Sequence, residues 1–261
     1  MPKRTEIQDL VPVNCSSISW LAPPDVLTLE NDEIHVWRIS FDTKVAQVKT
    51  LYHLLASDEL KRADRFYLQK DRDRFITARG TLRIILGKYL RLDPQDVRFF
   101  YGPNGKPMLT EKDGMGLCFN ISHSHDNALY AFTYGRRIGV DTEYICCNQA
   151  IMDIVERFFT FRELTIIQSY PLSMRHEAFF NLWTCKEAFL KAAGTGLSFD
   201  LNKVEVSARA GEPVRLVSIN GDSREASLWS LIRLDTVPRY ASALAVEGCN
   251  LHLKCWQKDT V

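Results

Sequence analysis

The chain has 261 residues, 46% of them hydrophobic and 25% charged, with a formal net charge of +1. That length is more than one compact core usually fills and implies two medium domains of an ordinary globular kind, which excludes a disordered chain or a small stapled scaffold. Near-zero net charge removes any global case for nucleic acid or an anionic membrane, and seven scattered cysteines without metal-ligand spacing suit small buried hydrophobes in a reducing compartment.

Residues 1–30 carry prolines at 2, 12, 23 and 24 and little periodicity, so they read as an extended arm on the body. Neither a signal-peptide apolar core nor a membrane-length apolar run is present, which predicts a cytoplasmic protein without membrane attachment. Alternation over Ile34–Phe41 predicts a strand with two usable faces, and Val45, Val48, Leu51, Leu54 and Leu55 a helix. Ser57, followed by Asp58 and Glu59, is the expected N-cap of a second helix running through Arg65 and Phe66. Phe75, Ala78, Leu82, Ile85, Leu86 and Tyr89 make the stripe of a third, stopped by Asp93-Pro94. The opposite faces of these helices carry Lys61, Arg62, Arg65, Arg72, Arg74 and Arg79, either a solvated surface or a local anion site.

From Val97 the period switches to two: a strand over Val97–Tyr101, a turn at residues 102–105, then Leu117–Ile121 ending in Ser122-His123-Ser124-His125 and an antiparallel return over Ala128–Tyr134. Gly135-Arg136-Arg137 reads as a linker, which divides the chain into an N-terminal half, residues 1–135, and a C-terminal half, residues 136–261. The second half begins with a strand over Ile138–Ile145, in which Asp141 and Glu143 face away from Val140, Thr142 and Tyr144. Helical stripes follow at Ile151–Phe158 and Phe179–Phe189, then short strands near 201–207, 213–219, 225–232 and 240–246, with Asn220-Gly221 as a hairpin turn. The fold class is therefore α+β, built as two similar α+β halves by pattern rather than by residue identity.

In the second of those stripes Trp183, Glu187 and Lys191 recur at four-residue spacing and share one helix face, before Gly194 and Gly196 end the helix. Alone this is an exposed Glu-to-Lys pair. Together with Asp141 and Glu143, set in the apolar run Ile138-Gly139-Val140 and Ile145, it offers three hard oxygen donors of the kind Mg²⁺ takes while it engages phosphates. Ser122 and His123 are adjacent on a strand and point to opposite faces, so they do not form a nucleophile–base pair.

These residues carry a family resemblance. Gly-Lys-Pro at 105–107, Phe-Asn-Ile-Ser-His at 119–123, Gly-Val-Asp-Thr-Glu at 139–143, Arg-Phe-Phe at 157–159 and Trp183-Thr184-Cys185-Lys186-Glu187-Ala188 with Lys191 resemble, in order, the motifs of the 4′-phosphopantetheinyl transferases, of the larger, surfactin-synthetase-activating type. The match spans about residues 57 to 200. The resemblance implies a pseudo-twofold two-half chain acting as a monomer. Its reaction would be transfer of phosphopantetheine from coenzyme A to a serine of apo acyl or peptidyl carrier proteins, with release of adenosine 3′,5′-bisphosphate. It implies Mg²⁺ on Asp141, Glu143 and Glu187, and Lys191 at the pyrophosphate. His123 and Arg62 would meet the 3′-phosphate, and Arg74, Lys106, Asn120 and Ser122 would line the rest of the coenzyme site. The serine proton would go to Glu187 or to a water carried by the metal. In some relatives a basic residue stands where this chain has Glu59, so Arg65 or Arg72 is expected as its substitute. Carrier docking is expected over residues 146–155, through Ile151 and Met152, with Arg136 and Arg137 steering encounter. The competing readings are a metal-dependent phosphodiesterase, which would use the same carboxylates on water, and a non-catalytic carrier- or nucleotide-binding module, which would tolerate loss of Glu187.

Overall fold

The computed structural model describes residues 18–41, 45–102, 105–110, 114–146, 151–196, 199–209 and 212–258. It begins with β1 (Trp20–Leu21) and β2 (Glu33–Ser40), then α1 (Val45–Tyr52), α2 (Ser57–Ala63) and α3 (Gln69–Leu90). The hairpin β3 (Phe99–Tyr101) and β4 (Pro107–Leu109) leads to β5 (Leu117–Ser124) and β6 (Asn127–Tyr134). After β7 (Ile138–Tyr144) come α4 (Ile151–Phe158), α5 (Phe161–Ser169) and α6 (Arg175–Ala193). The described chain closes with β8 (Val204–Ser207), β9 (Arg215–Ile219), α7 (Ser223–Ala226), β10 (Trp229–Arg233), β11 (Tyr240–Glu247) and β12 (His252–Lys258).

The fold is α+β. A five-stranded sheet runs β1-β12-β2-β6-β5 and a three-stranded one β10-β11-β7. Side-chain alternation sorts both into layers. On β2 and β6, Trp37, Ile39, Tyr130 and Phe132 pack under α3 against Leu82 and Ile85, whereas Ile34, Val36, Leu129 and Ala131 face the other way. That other face meets Ile138, Val140, Leu244 and Val246 of the three-stranded sheet. The outer face of the second sheet, including Ala243, Ala245 and Leu231, takes the buried stripe of α6. Helix, sheet, sheet and helix are thus stacked, and the residues of β7 that point away from the shared core point at α6.

Close approach of α6 to β7 depends on one residue. A β-carbon on Gly139 would collide with the backbone oxygen of Ala188 and the backbone nitrogen of Ala192 and lie 3.0 Å from the Ala192 Cα. Just past this contact α6 stops as expected: Gly194 takes the left-handed conformation at φ 76° and its N–H donates to the Leu190 carbonyl.

Four expectations change. The N-cap of α2 is Ala56, not Ser57, because the Glu59 carboxylate reaches back to accept the Ala56 N–H at 2.9 Å. α5 is an additional helix, opened by a reciprocal bond pair in which Thr160 Oγ1 accepts from Glu163 N and Glu163 accepts from Thr160 N. Asn220 and Gly221 both take positive φ and make a tight turn, but Asp222 after it caps α7, so β9 pairs with β8 rather than with β10. The last strand, β12, lies between β1 and β2 in the first sheet, where parallel pairing with β2 covers an edge that β6 leaves open. A cut at residue 135 therefore separates the sequence but not the sheets.

Candidate active site

Asp141 and Glu143 lie on the α6-facing side of β7, as their alternation with buried Val140 and Thr142 requires. Thr142 points the opposite way and its hydroxyl bonds Ser242 at 2.8 Å. Glu187 and Lys191 come from the facing stripe of α6. Lys191 Nζ donates to Asp141 Oδ1 at 2.6 Å and to Ser122 Oγ at 2.9 Å, and the Ser122 hydroxyl donates to the same Asp141 oxygen at 2.9 Å. Ser122 is bonded to Asp141 and Lys191 rather than to His123, so these two do not form a nucleophile–base pair.

Two oxygens here stand out: Asp141 Oδ2 and Glu187 Oε1 are buried and have no hydrogen-bond partner. An unpaired buried carboxylate oxygen costs free energy unless a cation or proton meets it. Burial first, then the charge of Asp141, pushes the Glu187 carboxyl up to about 6, opposed by Lys191. The same two causes raise Glu143, while Ser124 and Lys191 pull it back. Hard carboxylate oxygens in this state fit a divalent cation such as Mg²⁺. Among the described residues no three His, Cys, Asp or Glu side chains yet converge as a closed metal centre. Three like charges repel, and Lys191 lies against one of them.

Beside the carboxylates a cleft of about 330 Å³ opens between the halves. Arg62 from α2, Arg79 from α3, Lys106, Asn120 and His123 from the first half and Lys191 from the second all line it, on a floor of Phe75, Phe119 and Leu190. Lys106 Nζ donates to the Lys191 carbonyl at 2.6 Å, a cation on the C-terminal carbonyls of α6, and its burial lowers its pKa. His123, exposed at the mouth beside Phe41, is held below the ordinary histidine range by desolvation and then by Lys191 and Arg74.

Residues 137–245 match the 4′-phosphopantetheinyl transferase superfamily, and residues 40–133 match the family described as 4′-phosphopantetheinyl transferase, N-terminal. The chain is also 41% identical to 4′-phosphopantetheinyl transferase HetI of Nostoc sp. over 91% of its own length and 98% of that protein's. This chain belongs to the 4′-phosphopantetheinyl transferase superfamily. It is 30% identical to 4′-phosphopantetheinyl transferase Sfp of Bacillus subtilis over 58% of this chain and 66% of that one. Among solved structures, a holo-(acyl-carrier-protein) synthase of Bacillus anthracis in complex with CoA (3′,5′-ADP) aligns at a TM-score of 0.36 and 22% identity, over 43% of this chain and 96% of that one. By its family matches and its identity to HetI the chain is an enzyme, a transferase of the two-domain Sfp type.

Several residues of this transferase stand differently from their sequence-based assignment. Arg74 does not line the cleft; it pairs with Asp126 at 2.8 Å and acts on His123 through its charge. Ser122 is buried under the cleft as a link to Asp141. Neither expected substitute for a basic residue at position 59 reaches the cleft: Arg65 is exposed and Arg72 pairs with Asp64 at 2.8 Å. Glu59 itself is buried between Arg83, at 2.7 Å, and Arg79, at 3.4 Å, which clamps α2 onto α3. The additional cleft arginine is Arg79, which lies over Phe99.

Ile151, expected as a docking contact, is buried in the core of the second half with Val155. Residues 147–150 and the Met152 side chain lie outside the described residues. Arg137 is committed to Glu247 by two bonds, at 2.9 and 3.0 Å. Sequence reasoning also passed over Lys186, fully buried within the Lys-Glu motif, whose Nζ donates to Glu163 Oε2 at 2.6 Å and to the carbonyls of Phe158 and Leu201. A lysine three residues after Trp183, on the side of the helix that packs on Phe159, was the available signal.

Proposed function

We propose that this enzyme transfers the 4′-phosphopantetheine group of coenzyme A to a serine of an apo acyl or peptidyl carrier protein. The observation that carries this reading is the pair of unpartnered buried oxygens, on Asp141 and Glu187, beside Lys191 at one end of a cationic cleft shared by both halves. Arg62, Arg79 and His123 would hold the 3′-phosphoadenosine end and Lys106 and Asn120 the middle, which leaves Lys191 for the pyrophosphate. Mg²⁺ bound by Asp141, Glu143 and Glu187 would supply charge neutralisation at the pyrophosphate.

The carrier serine oxygen forms a new bond to the phosphorus that bears pantetheine, and the bridging P–O bond to the adenosine side breaks in line. Such a transfer needs positioning and charge stabilisation more than covalent help. The leaving group is adenosine 3′,5′-bisphosphate, whose developing charge Lys191 meets. Glu187 would take the serine proton. No helix among the described residues is long and apolar enough to cross a membrane.

The test is incubation of the protein with coenzyme A, Mg²⁺ and an apo carrier protein, followed by intact mass. The expected product is a carrier heavier by one phosphopantetheine group, absent after EDTA. Release of free phosphopantetheine without a loaded carrier would instead favour a phosphodiesterase, and binding without turnover a non-catalytic module.

A further inference from the structure

The two sheets meet along β5 and β7, and the join is not a backbone ladder. Three consecutive inward side chains of β5 accept the amides of β7 in register: Val140 N–H goes to Asn120 Oδ1 at 2.9 Å, Thr142 N–H to Ser122 Oγ at 3.3 Å, and Tyr144 N–H to Ser124 Oγ at 3.1 Å. The two serines continue the chain of bonds. Ser122 donates to Asp141 Oδ1 and Ser124 donates to Glu143 Oε2, each at 2.9 Å. The unit repeats: an amide donates to a serine, whose proton is thereby directed at the carboxylate one residue earlier on β7. A hydroxyl has one proton, and an amide donor on its lone pair leaves that proton for the carboxylate.

From this we infer that Ser124 is a positioning residue for the transfer, one that sets the orientation of Glu143 and acts on the reaction through it. Glu143 sits near the end of β7, half-buried, and Ser124 bonds one of its two oxygens. With one oxygen tethered, the carboxylate presents the other toward α6 without having to be ordered when the cation and coenzyme arrive. Asp141 already has Lys191 and Ser122 to order it, so Glu143 depends more on its single serine. Hydrogen bonds of this kind to ligating carboxylates tune metal affinity and activity by about tenfold to a hundredfold. The inference rests on the proposed Mg²⁺-dependent transfer.

Three variants decide it: Ser124→Ala, Ser124→Thr, which keeps the hydroxyl, and Ser124→Cys, which keeps the shape with a weak donor should the alanine variant not fold. Binding of Mg²⁺ to the protein saturated with coenzyme A is measured by calorimetry, alongside coenzyme A binding in EDTA and steady-state kinetics. The alanine or cysteine variant should weaken Mg²⁺ by about tenfold and lower kcat in parallel, with coenzyme A affinity in EDTA unchanged and the threonine variant close to the parent. A purely structural role would lower Tm and leave Mg²⁺ affinity where it was. If the parent binds Mg²⁺ and the folded alanine or cysteine variant binds it within about threefold as well, the inference is overturned while the transfer reading stands. A parent chain that binds no Mg²⁺ in the presence of coenzyme A overturns both.

Discussion

At the scale of single residues the decisive contrast lies between carboxylates that are paired and those that are not. Glu163 is as buried as Asp141, yet Lys186 meets it, whereas Glu187 keeps a buried oxygen unmatched. Replacing Glu187 by Gln should therefore do two opposite things. Transfer should be lost, because the base and one metal donor are gone. Stability without metal should rise by about 1 kcal/mol at pH 7.5, allowing for solvent screening of a partly exposed group. The sign follows from the folded-state value of about 6 against 4.5: the folded protein prefers the protonated carboxyl, so the parent regains its stability as pH falls from about 6 to 4.5 and the advantage of the variant should vanish there. Thermal melts of both proteins in EDTA across that window check it. A variant no more stable than the parent at pH 7.5 would mean that Glu187 is not strained by burial. At the far end of the cleft, Arg62→Ala and His123→Ala should each weaken coenzyme A by about tenfold while changing dephospho-coenzyme A little, since a charge-assisted bond to the 3′-phosphate is what each would lose. Equal losses with both ligands would remove these two residues from the phosphate. The acidic pair and its basic counterparts were legible because strand alternation and helical spacing are local rules. The fate of Glu59 was not, since its partner Arg83 lies on another helix and nothing local distinguishes a buried acid from a solvated one.

Among elements, β7 and α6 make the site by lying unusually close, and Gly139 is what lets them. The Gly139→Ala substitution puts a methyl group into the backbone of Ala188 and Ala192, atoms that cannot swing aside as a side chain can. Either the helix moves outward, carrying Glu187 and Lys191 away from Asp141, or the strand shifts. Overpacking of this sort costs about 1–3 kcal/mol and sometimes more. The expected outcome is a lower Tm together with a loss of kcat larger than that of a helix-surface substitution of equal Tm. A variant that melts early but turns over at the parent rate would show that the spacing of β7 and α6 is not what the chemistry needs. Elements also mark where sequence patterns ran out. α5 was missed although Thr160-x-x-Glu163 is a capping-box signature, because the acid serves three partners at once: the cap, Lys186 and the amide of Val206. β12 was missed for a different reason. His252, Lys254, Gln257 and Lys258 leave Leu253, Cys255 and Trp256 as its apolar content, and its strand character comes from the partners waiting on either side rather than from its own residues.

For the molecule as a whole, a core and a strand pairing cross the division at residue 135. The shared core between the sheets takes Ile34, Val36, Leu129 and Ala131 from the first half and Ile138, Val140, Ile232, Leu244 and Val246 from the second. β12 then returns from the second half to pair with β2. Cutting the chain would expose these side chains on both pieces, at about 1.5–3 kcal/mol each for the larger ones, and the total matches or exceeds the 5–15 kcal/mol by which a domain is usually stable. It would also leave the Val140, Thr142 and Tyr144 amides without their acceptors on Asn120, Ser122 and Ser124. Residues 1–135 and 136–261, expressed separately, should then show no cooperative thermal transition, whereas the intact chain should melt once. Appending residues 249–258 to the first piece should restore some sheet structure without restoring cooperativity, because the strand covers an edge of β2 but not the face against the second sheet. Calorimetry and near-ultraviolet circular dichroism on the three fragments and the intact chain distinguish these outcomes. A sharp transition in either piece alone would show two independent domains with an active site merely trapped between them. The expected result instead makes the cleft a consequence of the shared core, so that a substitution at Val36 or Leu244, whose side chains lie in that core and not at the carboxylates, loosens coenzyme binding and overall stability together.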